Sequence, residues 1–493
     1  MNQLQYLDFE LVIEKEGSQY QARVVRSPVG EASHTFGLPF SDLELENLVL
    51  RLGATSRGRR RIRSPEMQLA RQFGRNLFEA VFRGDVRASF LSSQNEAERR
   101  GCGLRLKLRL DAPELINVPW EYLYDDSLGR FLSLFEDTPI VRYVDMRGSI
   151  RPLSVSPPLS VLVMLSQPSD YRTLSVEQEK ANLDSAVSKL VETGMLTVTL
   201  VEKATLPALA DCLLRERYHV FHYIGHGGFD ERSQDGVLVL EDEWGRSHLT
   251  SGERMAVLLG NHPTMRLVLL NACEGARTSR DDPFAGTATT LVRTGGVPAV
   301  VAMQFPITDE AAITFARGFY TALSVGRPVD AAVSYARLAI FADDNDVEWA
   351  TPVLYMRAPD GRIFDVESLT PEAREARRRA AEAARAEHEA AERRAREQHQ
   401  ARLKDLYEQA KALMEKEDWE SAIEVLAKLQ ELEPDYHDVA ALTAQAQSGA
   451  EMQERCTALY RAAQKDLEAG RPQEAIVGFR SVLDLDPSHD GAA

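Results

Sequence analysis

His226 and Cys273 each stand just beyond a short apolar run in this 493-residue chain. The first run, Tyr218-His219-Val220-Phe221-His222-Tyr223-Ile224-Gly225, delivers His226 followed by Gly227-Gly228. The second, Met265-Arg266-Leu267-Val268-Leu269-Leu270, delivers Asn271-Ala272-Cys273-Glu274-Gly275. A cysteine attacks as its thiolate, and a neighbouring imidazole favours that form. Glycines lack Cβ atoms, so the backbone N–H groups of Gly227 and Gly228 can approach a substrate carbonyl as oxyanion donors. The chemistry these residues permit is nucleophilic attack on a carbonyl carbon.

Positioning them requires two neighbouring strands. An apolar, β-rich run that stops at glycines reads as a buried parallel strand spilling into a loop. Open parallel sheets present chemistry just outside the carboxyl ends of their strands. If the two runs are neighbours, imidazole and thiol lie side by side at that edge. A lone cysteine at a strand end is ordinarily a small buried hydrophobe; the paired histidine-glycine-glycine motif is what separates Cys273 from Cys102, Cys212 and Cys456, which read as structural. His219 and His222 lie inside the strand and read as core or sheet-face residues, while His248 and His262 sit in loops without a partner motif.

The spacing carries a resemblance. The caspase signature is Gln-Ala-Cys-(Arg/Gln/Gly)-Gly, with its histidine about 50 residues upstream; here Asn271-Ala272-Cys273-Glu274-Gly275 has His226 at 47 positions upstream. Over roughly residues 155–360 the chain resembles the CHAT-type branch of the caspase-like cysteine peptidases. Trp349-Ala350-Thr351-Pro352-Val353-Leu354-Tyr355 is similar to that domain's closing strand. The resemblance implies His226 and Cys273 as catalytic residues and the N–H groups of Gly227, Gly228 and Cys273 around the oxyanion. It implies Asn271, in place of the caspase glutamine, and Gln304, Phe305 and Asp309 as candidates for the substrate pocket. Arg-specific relatives often carry Asp where Asn271 stands, which weakens the case for a basic residue at the cleavage site. Asp281, Asp282 or Asp309 remain able to receive a basic side chain, and helix capping or loop solvation accounts for each of them equally well.

Bulk properties exclude other classes. Lys and Arg number 58 against 75 Asp and Glu, a formal charge of −17, which opposes nucleic-acid and anionic-membrane binding. The run Arg57-Gly58-Arg59-Arg60-Arg61-Ile62-Arg63 reads as a solvated loop, because it lacks interleaved aromatics. Four scattered cysteines form no disulfide framework and no zinc spacing. No metal and no cofactor is expected. Nucleophile-elbow, Walker, Rossmann and zinc-helix motifs are absent. No signal-peptide core and no membrane-length apolar run occurs, so a cytoplasmic location is expected.

The fold class expected is α/β: a caspase-like, mostly parallel sheet flanked by helices, preceded by an α/β accessory region and followed by an α-helical repeat segment. Residues 1–150 form the accessory region, with half-buried strands at Leu7–Ile13, Tyr20–Val25 and Leu104–Leu110 and a helix over Pro65–Arg83. By resemblance it is a pseudo-caspase lobe. Residues 155–365 alternate strand and helix signals, as a parallel sheet requires, with helices over Val176–Glu192, Leu206–Arg215 and Asp309–Ser324. Thr370 and Pro371 open a charged helical spacer over 370–402. Residues 403–493 read as tetratricopeptide-like repeats, since Asp418–Asp435 recurs at Arg471–Ser488 with an offset of 53 rather than about 34.

The function expected is that of a regulated cysteine endopeptidase acting on a protein substrate, with an activating protein partner held by the repeats. A bacterial defence or cell-death role is implied by resemblance alone. The competing expectation is a catalytically silent scaffold. The Glu274–Pro283 loop, with Arg277 and Arg280, resembles the inter-subunit loop that caspases cut during maturation. If that likeness extends to processing, prolonged incubation yields two fragments on a denaturing gel; a single intact band removes the expectation.

Overall fold

The computed structural model describes residues 4–492 except 53–63, 147–149, 172–175, 231–234, 273–283, 344, 368–370, 435 and 488. The basic run Arg57–Arg63, Cys273, the Glu274–Pro283 loop with Asp281 and Asp282, and the cap at Thr370 lie outside the described residues.

The alternating N-terminal segments form an antiparallel meander, β1 (Tyr6–Glu16), β2 (Gln19–Arg26) and β3 (Ala32–Phe36). Three helices follow, α1 (Asp42–Leu52), α2 (Pro65–Val81) and α3 (Gly84–Arg99). The Ser64 hydroxyl accepts the Met67 N–H, and Pro65 takes the first helical position of α2, where its missing N–H costs nothing. Gly84, at φ 55°, turns the chain from α2 into α3. The sequence reading has no helix there, because two of the five positions α3 buries are Ser89 and Ser93, which blur its apolar stripe.

The chain continues through β4 (Gly103–Leu110), β5 (Ile140–Tyr143), β6 (Leu159–Leu165), α4 (Val176–Glu192), β7 (Leu196–Leu200), α5 (Leu206–Arg215) and β8 (Val220–Gly225). A small antiparallel sheet comes next, β9 (Gly227–Asp230), β10 (Asp235–Glu241) and β11 (Ser247–Ser251). Then follow α6 (Gly252–Gly260), β12 (Leu267–Ala272), α7 (Ala285–Arg293), β13 (Ala299–Met303), α8 (Asp309–Ser324), α9 (Val329–Ala342) and β14 (Pro352–Met356).

One eleven-stranded sheet runs in the order β7-β6-β8-β12-β13-β14-β5-β4-β1-β2-β3. β7, β6, β8, β12 and β13 are mutually parallel; β14 opposes β13; β14, β5, β4 and β1 are parallel again. Apart from the antiparallel strands β2 and β3 at one end, the sheet therefore consists of two parallel blocks whose carboxyl ends face opposite edges. Every residue of β8, β13 and β14 is buried, as expected of strands covered on both faces. Hydrogen bonding passes without a break from the first block into the N-terminal strands, through Tyr355 opposite Arg142 and Met356 opposite Tyr143.

Buried charges tie the second block together. Arg105 on β4 pairs with Asp330 of α9 and, at 3.0 Å, with Asp8 of β1, while Lys107 reaches Asp8 at 2.8 Å. Arg105, Lys107 and Asp330 are all but fully buried. Gly361 (φ 72°) gives the turn its close approach, since a Cβ there would lie 2.4 Å from the Asp330 carboxylate.

The described chain forms two compact units, Met1–Glu382 and Ala383–Ala493. The second is helical. The C-terminal part of α10 (Pro371–Glu415) packs Leu403 and Ala410 with Leu426 and Leu429 of α11 (Trp419–Leu432). α12 (Val439–Glu468) and α13 (Pro472–Leu485) complete it. The 30-residue α12 explains the offset of 53. Near its start Gly449 lies under the Trp419 ring, and further along Ala463 abuts Gly478 of α13, so one helix packs against both repeat copies. Residues 393–402 of α10 are exposed throughout. No helix among the described residues is long and apolar enough to cross a membrane.

Replacing Asp330 by Ala leaves the buried Arg105 guanidinium short of a partner. The expected loss in urea denaturation is about 3–5 kcal/mol. Removing Arg246 from its exposed pair with Asp242 costs less than about 1 kcal/mol.

Candidate active site

β8 and β12 are hydrogen-bonded neighbours, paired with Ile224 opposite Asn271 and Gly225 opposite Ala272. The next residue in one strand is His226 and in the other Cys273. β8 takes this place because Val220, Phe221, Tyr223 and Ile224 are fully buried between β6 and β12. Gly225 is required for close approach: a Cβ there would sit 2.5 Å from the Tyr223 hydroxyl oxygen.

His226 is held by its backbone. Its carbonyl accepts the Val239 N–H at 3.0 Å, and the Tyr223 hydroxyl lies 2.9 Å from that carbonyl and 2.8 Å from the carbonyl of Val239. Ser166, just past β6, donates its N–H to Ile224 and its hydroxyl to Val239. His226 is 4% exposed, with the Tyr171 ring 5.0 Å from its imidazole, centroid to centroid.

The segment after His226, expected as a loop, is the strand β9, because β10 offers it a ladder at Val237 and Leu238. Antiparallel ladders alternate hydrogen-bonded and non-hydrogen-bonded pairs. Since His226 is bonded to Val239 and Gly227 stands opposite Leu238, the Gly228 N–H is directed at Val237 and the Gly227 N–H away from β10. Of the two glycines, Gly227 has the N–H aimed clear of the ladder.

Asn271 is buried, and its side-chain oxygen has no hydrogen-bond partner among the described residues. Gln304 lies one residue beyond β13 at the same edge, yet its amide is engaged. It donates to the Glu121 carboxylate (3.0 Å) and the Ala350 carbonyl (2.9 Å). Glu121 in turn forms an ion pair with Arg142 of β5 at 2.9 Å, with both side chains buried. Charge-assisted bonds in a dry setting hold such a group firmly. Phe305 is buried in the main hydrophobic core. Asp309 is exposed in the first turn of α8, where its charge suits the helix dipole. The α8 cap itself is Thr308, whose N–H and hydroxyl are held by Glu348 at 2.7 and 2.9 Å. The edge thus brings His226, Gly227 and Asn271 together; Gln304 and Phe305 face inward, and Asp309 faces solvent.

Sequence reasoning finds no constellation in residues 1–150, although Glu121 and Arg142 lie there. Their signal is two charges flanked by apolar residues, in Pro119-Trp120-Glu121-Tyr122 and Ile140-Val141-Arg142-Tyr143, and such charges are buried only when paired. Of the remaining histidines, His222 meets the Tyr320 hydroxyl at 3.1 Å and burial pushes its imidazole down to about 3. His219 accepts the Ser160 N–H and is pushed down to about 4, mainly by burial. His222 is a core histidine, and His219 is half-buried one position before β8. Burial raises the Cys212 thiol, which opposes thiolate formation. No group of metal-binding side chains occurs among the described residues.

A family model described as the CHAT domain matches residues 71–382. No curated protein matches the chain in sequence. Among solved structures, a chain of the Saccharomyces cerevisiae separase–securin complex is 12% identical at a TM-score of 0.42, over 71% of this chain and 30% of that one. A second structure of that complex gives 16% identity and 0.32, over 60% and 20%. The Arg-specific cysteine proteinase gingipain R gives 13% identity and 0.34, over 57% and 68%. This chain spans less than a third of the separase-complex chains it matches.

The two depressed histidines carry a pH signature. Each stays neutral in the folded state well below 6.5 but protonates in the unfolded chain near 6.5. Their contribution to stability is complete above that value and is lost as pH falls towards 4. Urea midpoints between pH 6.5 and 4.5 are expected to fall with an uptake of about two protons from this pair on unfolding. His222→Phe removes about one of them; an unchanged slope in that variant refutes the assignment.

Proposed function

Because the chain belongs to the CHAT domain family of caspase-like cysteine peptidases, we propose that it is a regulated cysteine endopeptidase with His226 and Cys273 as its catalytic dyad. One observation carries the reading. Gly225 pairs with Ala272, and each strand delivers its reactive residue at the very next position.

In the proposed mechanism the Cys273 thiolate attacks the peptide carbonyl carbon. The carbonyl π electrons move onto oxygen, where the N–H groups of Gly227 and Cys273 receive the negative charge. His226 protonates the leaving amine as the C–N bond breaks, which leaves a thioester. Water, deprotonated by His226, attacks the thioester carbonyl and releases the new carboxyl terminus and the thiol. Asn271 lines the substrate pocket with its side-chain oxygen, which has no hydrogen-bond partner among the described residues and suits a hydrogen-bond donor on the substrate. Asp281, Asp282 and Asp309 are the candidates to receive a basic side chain of the substrate. The helical repeats recruit the activating partner, in a bacterial defence or cell-death pathway.

The test compares wild type with Cys273→Ala on a mixed-sequence peptide pool, with new termini read by mass spectrometry. Cuts present only with Cys273, at least about 10³-fold above the variant, support the reading and report the pocket preference. If neither protein cuts, a thiol-reactive acyl mimic decides. Labelling of Cys273 that His226→Ala abolishes indicates a competent site awaiting its activator. Absence of labelling favours a silent scaffold.

A further inference from the structure

The sheet has two carboxyl edges, and the candidate catalytic residues use only one of them. At the other, the paired strands β4 and β5 end side by side, and the chain leaves them through residues 111–116 and 144–146. These residues border a cavity of about 360 Å³. Tyr355 of β14 and Thr289 and Arg293 of α7 complete its wall. Its volume falls at the lower end of the roughly 300–1,000 Å³ of small-molecule sites. The crevice outside the carboxyl ends of parallel strands is also where open α/β sheets take their ligands.

Apolar side chains form much of the wall, among them Leu108, Leu110, Ile116 and Val144. Three arginines and two aspartates share it with them, and most of these charges are already matched. The Arg142 guanidinium is buried and pairs with Glu121 at 2.9 Å. Arg109 meets Glu10 at 3.3 Å and Asp145 at 3.4 Å. That leaves Arg293 and Asp111, both exposed, and neither has an ion pair among the described residues. Either one alone would be an ordinary solvated group, and the Arg293 charge suits the last turn of α7. On the wall of one cavity they present one unmatched cation and one unmatched anion beside an apolar surface. A ligand with a single charge would satisfy one of them and be repelled by the other.

We propose that this cavity binds a zwitterion with an apolar body, the chemistry of a free apolar amino acid or a short unblocked peptide. The ligand carboxylate pairs with Arg293, whose guanidinium offers two parallel N–H donors to a carboxylate. The ligand ammonium pairs with Asp111, and the apolar side chain lies against Leu110, Ile116 and Val144. The length of the strands separates this site from the His226 edge, so the inference stands whether or not the chain is a peptidase.

The test titrates the full chain with L-leucine and with leucyl-leucine. N-acetyl-leucine and leucinamide carry the same body with only the anion or only the cation. Affinities are measured by isothermal titration calorimetry. One of the two zwitterions is expected to bind at least about tenfold more tightly than either single-charge probe, the factor that one charge-assisted bond supplies. Which of the two it is tells a free amino acid from a peptide. Arg293→Gln weakens that zwitterion about tenfold and leaves leucinamide unchanged, while Asp111→Asn weakens it as much and leaves N-acetyl-leucine unchanged. Both positions are exposed, and the blocked probes test the same two contacts without any substitution. Cys273→Ala binds as the wild type does. No binding of either zwitterion up to about 10 mM overturns the inference. So does equal affinity for the charged and blocked probes, or indifference to either substitution. Loss of binding in Cys273→Ala overturns it too, because the ligand then sits at the catalytic edge.

Discussion

The pairing of β8 with β12 is the constraint on which the candidate site depends. Both strands are apolar, parallel and buried, and their ladder runs as far as Gly225 and Ala272. A slip of one residue would turn every side chain of one strand to the other face and take Gly225 out of its place opposite Ala272. The register is braced from outside the ladder as well. Tyr223, Ser166 and Val239 converge on the His226 carbonyl and its neighbours, and Gly225 leaves room for them. The edge is accordingly specified by hydrogen bonds that a wrong register would leave unmade in a dry interior, where an unmade bond costs the full desolvation of the group.

The reversal of direction between β13 and β14 shapes everything else in the first unit. It ends one parallel block and begins another, so the N-terminal strands extend the sheet that carries the site. Charge burial accompanies this join. Glu121 and Arg142 form an ion pair in the second block and hold Gln304 at the end of the first, while Arg105, Lys107, Asp8 and Asp330 join β1, β4 and α9. Buried ion pairs add little net stability over apolar packing, yet breaking one is expensive. Their effect here is to penalise any arrangement in which the two blocks are not docked in this register.

The helical unit follows a different logic. Each repeat copy contributes one helix with a face to bury, α11 or α13, and the long α12 packs against both. Trp419 in the first copy is met by Gly449, while in the second copy Pro472 stands at the equivalent place and Gly478 meets Ala463. Small residues at these contacts let helix axes approach closely, and the stacking of neighbours supplies the burial that no single repeat achieves.

Much of the edge was legible from residue order alone. Apolar runs stopping at glycine identified β8 and β12, and the spans of α4, α5 and α8 coincide with the periodic segments read from the sequence. Those signals are local: periodicity reports which face of an element is buried, and capping residues report where it ends. Tertiary structure decided the rest, because each remaining feature depends on a partner distant in the chain. Residues 227–230 became a strand only when β10 came alongside. Gln304, which the sequence offered as a pocket wall, was claimed by Glu121 from 183 positions away. The N-terminal strands joined the sheet through a pairing between Arg142 and Tyr355, and the Tyr171 ring met that of His226 from beyond the end of β6. A sequence states what each residue needs to bury or to bond, and the closed fold alone states which neighbour supplies it.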